Sequence, residues 1–283
     1  MGGGTYSTFD RHTRALDEGY YTKSTQEIFK QRTINNAMNP HGIVVRESRD
    51  SAEHPKSLAI MLFLDVTGSM GSIPHFLVKQ GLPAFVESII NAGIPDPQVL
   101  FAGIGDHECD DAPLQVGQFE SSDELLDKWL TDLYLEGHGG GNYGESYLLA
   151  WYFAAKHTAI DCLEKRKQKG FLFTIGDEPT LNSIPGHSLK QIMGDGQYED
   201  VAATILLDKA REKYNVYHLH LREGSNGTRQ DVMDGWKQLM GKDLIIVERK
   251  ETVADIMAET IVKSMVGKIE QPVPGEKPTE TIL

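Results

Sequence analysis

SLAIMLFLDVTGSM, residues 57–70, is a near-continuous apolar run that ends on an acid and gives way to two hydroxyls with a glycine between them. A strand that is apolar on both faces of its pleat is the pattern of a central parallel strand, covered from above and below. Asp65 therefore marks the point where a buried strand leaves its sheet. Two more runs repeat the pattern: QVLFAGIGD (98–106) ends at Asp106, and KGFLFTIGDEPT (169–180) carries Asp177 at its end.

Between these runs the period changes to that of helices. HFLVKQGLPAFVESIINAG (75–93) has helical spacing, with Pro83 placed to kink or divide it. SSDELLDKWLTDLY (121–134) opens with a Ser-x-x-Glu capping signal. A glycine-rich loop, GHGGGNYGES (137–146), flows into what reads as a strong amphipathic helix, and DVAATILLDKAREKY (200–214) is helical again. NVYHLHL (215–221) and DLIIVER (243–249) read as strands, LQVGQF (114–119) as a short antiparallel edge, and TVADIMAETIVKSMVG (252–267) as a closing helix. Alternating strands and helices at this spacing predict an α/β fold: a doubly wound, mostly parallel six-stranded sheet flanked by helices, Rossmann-like.

Residues 57–267 form this expected domain. Residues 1–56 are polar and lack a sustained period, and are expected to be an arm wrapped on it, with a short helix in TQEIFKQRTINNAM and an edge strand in GIVVRES. The Pro-rich, charged stretch 268–283 is expected to be a disordered tail. The 28 basic residues against 41 acidic ones give a formal charge of −13, which argues against a nucleic-acid binder and suits a surface that holds cations. The opening MGGGTYSTFDRHTR has no apolar run of signal-peptide length, no membrane span is evident, and two cysteines make no disulfide framework; a cytoplasmic setting is the expectation.

Ligands of an open α/β sheet bind beyond the carboxyl ends of its strands, where strand order reverses. If the strands ending at Asp65 and Asp177 are neighbours there, both carboxylates face one crevice, and Gly68 turns the backbone so that Thr67 and Ser69 bring their hydroxyls to it. Two carboxylates and two hydroxyls, without sulfur or imidazole, make an all-oxygen shell suited to Mg²⁺, Mn²⁺ or Ca²⁺.

These residues resemble the von Willebrand factor A (VWA) family, in its intracellular bacterial branch. Its metal-ion-dependent adhesion site, or MIDAS, has an Asp-x-Ser-x-Ser motif, matched by Asp65-Val66-Thr67-Gly68-Ser69, and a later acid at a strand end, matched by Asp177. The family's loop threonine is missing: GGGNYGES offers Gly141 or Asn142 according to register, and Glu145 could also turn inward. The expected metal set is Asp65, Thr67, Ser69, Asn142 and Asp177. The resemblance implies a non-enzymatic module in which a cation bridges to an acidic residue of a partner protein. Since intracellular members are often partners of AAA+ ATPases of the MoxR and chelatase type, such an ATPase is a candidate partner.

Competing readings are weaker on their chemistry. A haloacid-dehalogenase-like phosphohydrolase, the enzymatic alternative, also has an acid after its first strand but needs a second one two residues on, where this chain has Thr67. The glycine loop lacks the Lys-Ser/Thr of a phosphate-binding loop, leaving a plain turn as its simpler reading. GDHECDD (105–111) has too few Cys or His for zinc and reads as the rim of the crevice. His218 and His220 share one face of their strand as a satisfied, half-buried pair, and CLEKRKQKG (162–170) is a solvated helix end.

Overall fold

The computed structural model describes residues 5–137 and 144–269. Six strands form the central sheet: β1 (Leu58–Asp65), β2 (Pro97–Ile104), β3 (Leu114–Val116), β4 (Gly170–Gly176), β5 (Tyr214–Leu221) and β6 (Leu244–Val247). Their order is β6-β5-β4-β1-β2-β3, parallel throughout except for β3, which runs antiparallel to β2 at one edge. All eight residues of β1 and all seven of β4 are buried, as central parallel strands require. From β1 the chain builds outward through β2 and β3, and from β4 outward on the other side through β5 and β6. The order thus reverses between β1 and β4. Leu64 lies opposite Ile175 across that boundary, so Asp65 and the Gly176–Asp177 step leave the sheet together.

The helical stretches differ from their sequence patterns in instructive ways. The run around Pro83 divides into a helix at Ile73–Phe76, a π turn at Leu77–Gly81 and a second helix at Leu82–Asn91. Pro83 is then the second residue of that helix, where its missing N–H costs nothing. Ser122, not Ser121, caps Asp123–Thr131, accepting from Leu125 N–H. The helix after the glycine loop, Leu148–Lys156, is not amphipathic: Leu148 to Ala154 are all buried, and the chain breaks at His157 into a short strand, Thr158–Ile160. β2 ends at Ile104, two residues before Asp106.

The segment before β1 lies against this core. A helix absent from the sequence reading, Thr8–Asp17, is capped by Ser7. Its Arg11 and Arg14 pair with Asp127, and Arg14 also with Asp123. Arg46–Ser48 pairs parallel with Thr158–Ile160, outside the main sheet. The Met38 carbonyl accepts from Val116 N–H and so covers the β3 edge. Only Thr25–Ile28 of the stretch 25–38 is helical. The last helix is Val253–Ile269; the remainder of the expected tail, 270–283, lies outside the described residues. Among the described residues no helix is long and apolar enough to cross a membrane.

Candidate functional site

Two carboxylates emerge at the point of reversal, and hydroxyls link them. Asp65 Oδ1 accepts from Thr67 Oγ1 at 2.6 Å and from Thr67 N–H at 3.0 Å. Ser69 Oγ lies 3.3 Å from Thr67 Oγ1 and donates to Asp177 Oδ1 at 2.7 Å. The four side chains therefore form one continuous polar chain across the β1–β4 boundary. Its ends are fully buried, while Gly68 is exposed and Ser69 half-exposed, so the chain opens to solvent at the turn. A short 3₁₀ turn, Gly68–Met70, closed by Gly71 at a positive φ of 51°, gives the hydroxyls this placement.

Other residues fix the carboxylates from behind. Tyr147 donates its hydroxyl to Asp65 Oδ2 at 2.6 Å, and Asn226 N–H donates to Asp177 Oδ2 at 2.8 Å. Ser225 donates through both its N–H and its hydroxyl to the Ser69 carbonyl, at 3.1 and 3.0 Å. Tyr147 itself meets the stacked rings of His218 and Trp236 edge-on: those two lie 3.5 Å apart, and their centroids are 5.1 and 5.3 Å from that of Tyr147. Glycines keep the space open: a Cβ on Gly176 would fall 1.7 Å from the Tyr147 hydroxyl, and one on Gly224 would fall 2.4 Å from Asp177 Oδ2.

Among the described residues, the side-chain partners of Asp65 and Asp177 are hydroxyls and not cations. Burial pushes the Asp65 carboxyl up to about 7 against the pull of Thr67 and Tyr147, and the charge of Asp177 adds to the rise. Glu145 is pushed up to about 10, first by burial and then by Asp65, Asp110, Asp106 and Glu178. Burial also raises Glu178, with Asp177 contributing.

Of the expected set, Asp65, Thr67, Ser69 and Asp177 come together; Asn142, with Gly141, lies outside the described residues. Glu145 is described and turned inward, 6 % exposed. Asp106, also buried, accepts from Glu108 N–H. His107 bonds Ser146 Oγ through Nδ1 at 2.8 Å, which ties the 105–107 segment to the residue after Glu145. The histidine pair is fully buried rather than half-buried: β5 is covered on both sides there, and His220 donates to the Gly227 carbonyl from Nε2 while its Nδ1 has no hydrogen-bond partner among the described residues. Lys165 and Arg166, read as a solvated end, pair with Asp50, and Lys165 also with Asp161. Cys109 is exposed and Cys162 buried, both free.

Among the described residues no three His, Cys, Asp or Glu side chains gather as a metal cluster. What gathers is two acids joined by two hydroxyls. The sequence reading missed Tyr147, Ser225 and Asn226. Tyr147 gives no signal within an apolar helix-like run, but LREGSNG (221–227), a turn-forming stretch at the carboxyl end of β5, could have placed a loop beside the acids.

No family model matches the chain, and no curated protein matches it. Solved structures do. The pilus adhesin SpaC from Lactobacillus rhamnosus GG is similar at 14% identity and a TM-score of 0.50, over 74% of this chain and 31% of the adhesin. An open conformation of the same adhesin gives 12% and 0.49, over 74% and 30%. Proximal thread matrix protein 1 from the mussel byssus gives 10% and 0.45, over 73% and 47%. The chain spans less than a third of the adhesin's length, and the likeness is one of fold: a mixed α/β core around a mostly parallel sheet.

Proposed function

We propose that this chain is a non-enzymatic, cation-dependent protein-binding module of the VWA type, doubly wound, in which a divalent cation bridges the site to an acidic residue of a partner. The observation that carries the reading is the polar chain Asp65–Thr67–Ser69–Asp177 at the strand-order reversal, with both acids fully buried. The donor set fits Mg²⁺, Mn²⁺ or Ca²⁺: every atom is oxygen, both carboxylates are buried, and among the described residues no lysine or arginine is hydrogen-bonded to either. The cation would be held by Asp65, Thr67, Ser69 and Asp177, and when bound it would supply the positive charge that attracts an outside carboxylate. The side chains do the rest. Thr67 and Ser69 present hydroxyl oxygens to the opening, while Tyr147 and Asn226 orient the acids.

Binding is favoured over phosphoryl chemistry because position 67 is a threonine and carries no carboxyl to move a proton. An AAA+ ATPase of the MoxR or chelatase type is the partner class that the family resemblance suggests. Two free cysteines suit a reducing compartment. The test is affinity capture of partners from cell extract in Mg²⁺ and in EDTA, with the parent and with Asp65→Ala. Capture in Mg²⁺ that is lost with either change supports the reading. Capture insensitive to both would overturn it.

A further inference from the structure

A buried carboxylate without a partner needs a physical reason, because desolvation is costly when no hydrogen bond or counter-charge repays it. Glu145 holds such an atom: the residue is 6 % exposed, and among the described residues its Oε2 has no hydrogen-bond partner. Its backbone is fixed on both sides. The Glu145 N–H donates to the Pro179 carbonyl at 2.9 Å, and its carbonyl accepts from Leu181 N–H at 3.0 Å, which stitches it to the chain just beyond Asp177. Two residues on, Tyr147 reaches Asp65. Glu145 thus sits between the segment that bears one acid of the site and the side chain that holds the other.

Burial opposes its ionisation first, and the acids Asp65, Asp110, Asp106 and Glu178 oppose it further. Simple packing does not call for a carboxylate here; an apolar or amide side chain would fill the place without repulsion. A cation gives the carboxylate a use.

We propose that Glu145 supplies a third carboxylate to the cation held at Asp65 and Asp177. The proposal rests on the cation reading of that site. Without an ion, the hydroxyls of Thr67, Tyr147 and Ser69 occupy oxygens of Asp65 and Asp177. This accounts for the lack of a ready-made cluster of three acids among the described residues. A divalent cation favours the ionised form of all three acids and gives their oxygens a common partner. Three carboxylates with two hydroxyls also approach the higher oxygen count that Ca²⁺ takes, so the site should accept Ca²⁺ and Mn²⁺ as well as Mg²⁺.

The test is isothermal titration of the full chain with Mg²⁺, Mn²⁺ and Ca²⁺, for the parent and Glu145→Gln, with melting curves of both proteins in EDTA. Glu145→Gln should bind at least roughly 10-fold more weakly, since losing even a group that only orients a ligand costs about 10- to 100-fold. In EDTA it should melt at or above the parent's temperature, because an orphaned acid among acids has gone. A purely structural role predicts the opposite pair: lower melting temperature and unchanged affinity. If the parent binds ions and Glu145→Gln binds them equally well, or if the variant is less stable in EDTA, the proposal falls while the cation site stands. If the parent binds none of the three ions, the cation site itself falls, and the proposal with it.

Discussion

Gly176→Ala probes the packing behind Asp65. The added Cβ would lie 1.7 Å from the Tyr147 hydroxyl oxygen, 2.7 Å from its ring carbon Cζ and 2.9 Å from Asp65 Oδ2. Tyr147 cannot retreat easily, since it is fully buried with its ring set edge-on against the stacked pair His218 and Trp236. Overpacking of a tight core costs about 1–3 kcal/mol. Losing the hydrogen bond from Tyr147 to a carboxylate costs about 1.5–3 kcal/mol more. The substitution should therefore destabilise by about 2.5–6 kcal/mol, measured as a shift in urea midpoint at unchanged slope. A double-mutant cycle sharpens the test. Tyr147→Phe removes the oxygen but leaves the ring carbon, so Gly176→Ala should cost measurably less in that background without becoming free. A cost below about 1 kcal/mol in the parent, or strict additivity of the two changes, would refute this account of how Asp65 is held.

Two further outcomes follow from the charges. Asp65 is held up to about 7 in the folded chain, above its usual carboxylate range, mainly by burial and further by Asp177. A raised acid favours folding when protonated, so its contribution is full below about pH 4 and is lost as pH rises through 7. Buried histidines such as His218, held well below their usual value, act in the reverse sense and are removed by difference. In EDTA, the stability of the parent minus that of Asp65→Asn should fall by up to about 4 kcal/mol between pH 4 and 8 in urea titrations, and a flat or rising difference contradicts the assignment. Near the amino-terminal helix, Asp127→Ala leaves the buried Arg11 guanidinium without its carboxylate. A loss of about 3–5 kcal/mol is expected, with faster proteolytic cleavage before residue 20; a loss under 1 kcal/mol would mean the pair contributes little.

The parts of this structure legible in the sequence were those with a one-dimensional physical signature. β1 and β4 announce themselves because a strand buried on both faces must be apolar at every position, and Asp65 and Asp177 stand out because an acid is costly at the end of such a run. The hydroxyls of Thr67 and Ser69 were legible by proximity. What escaped depends on long-range contact. Tyr147 reaches Asp65 across 82 residues of sequence and reads as one more apolar position in its helix. Thr8–Asp17 was missed although Ser7 precedes it and Arg11 and Arg14 are spaced to share a face, because its partners Asp123 and Asp127 lie more than 100 residues away. The burial of Leu148–Ala154 on all sides was likewise invisible, since period alone cannot tell a helix inside a protein from one on its surface.

The most direct measurement of the central claim is an anomalous difference map from a crystal soaked in Mn²⁺. The account predicts one strong peak within coordination distance of the Thr67 and Ser69 hydroxyls, flanked by Asp65 and Asp177, and lost in an Asp177→Asn crystal. A map without a peak there, in which Thr67 still donates to Asp65 and Ser69 to Asp177, would contradict it.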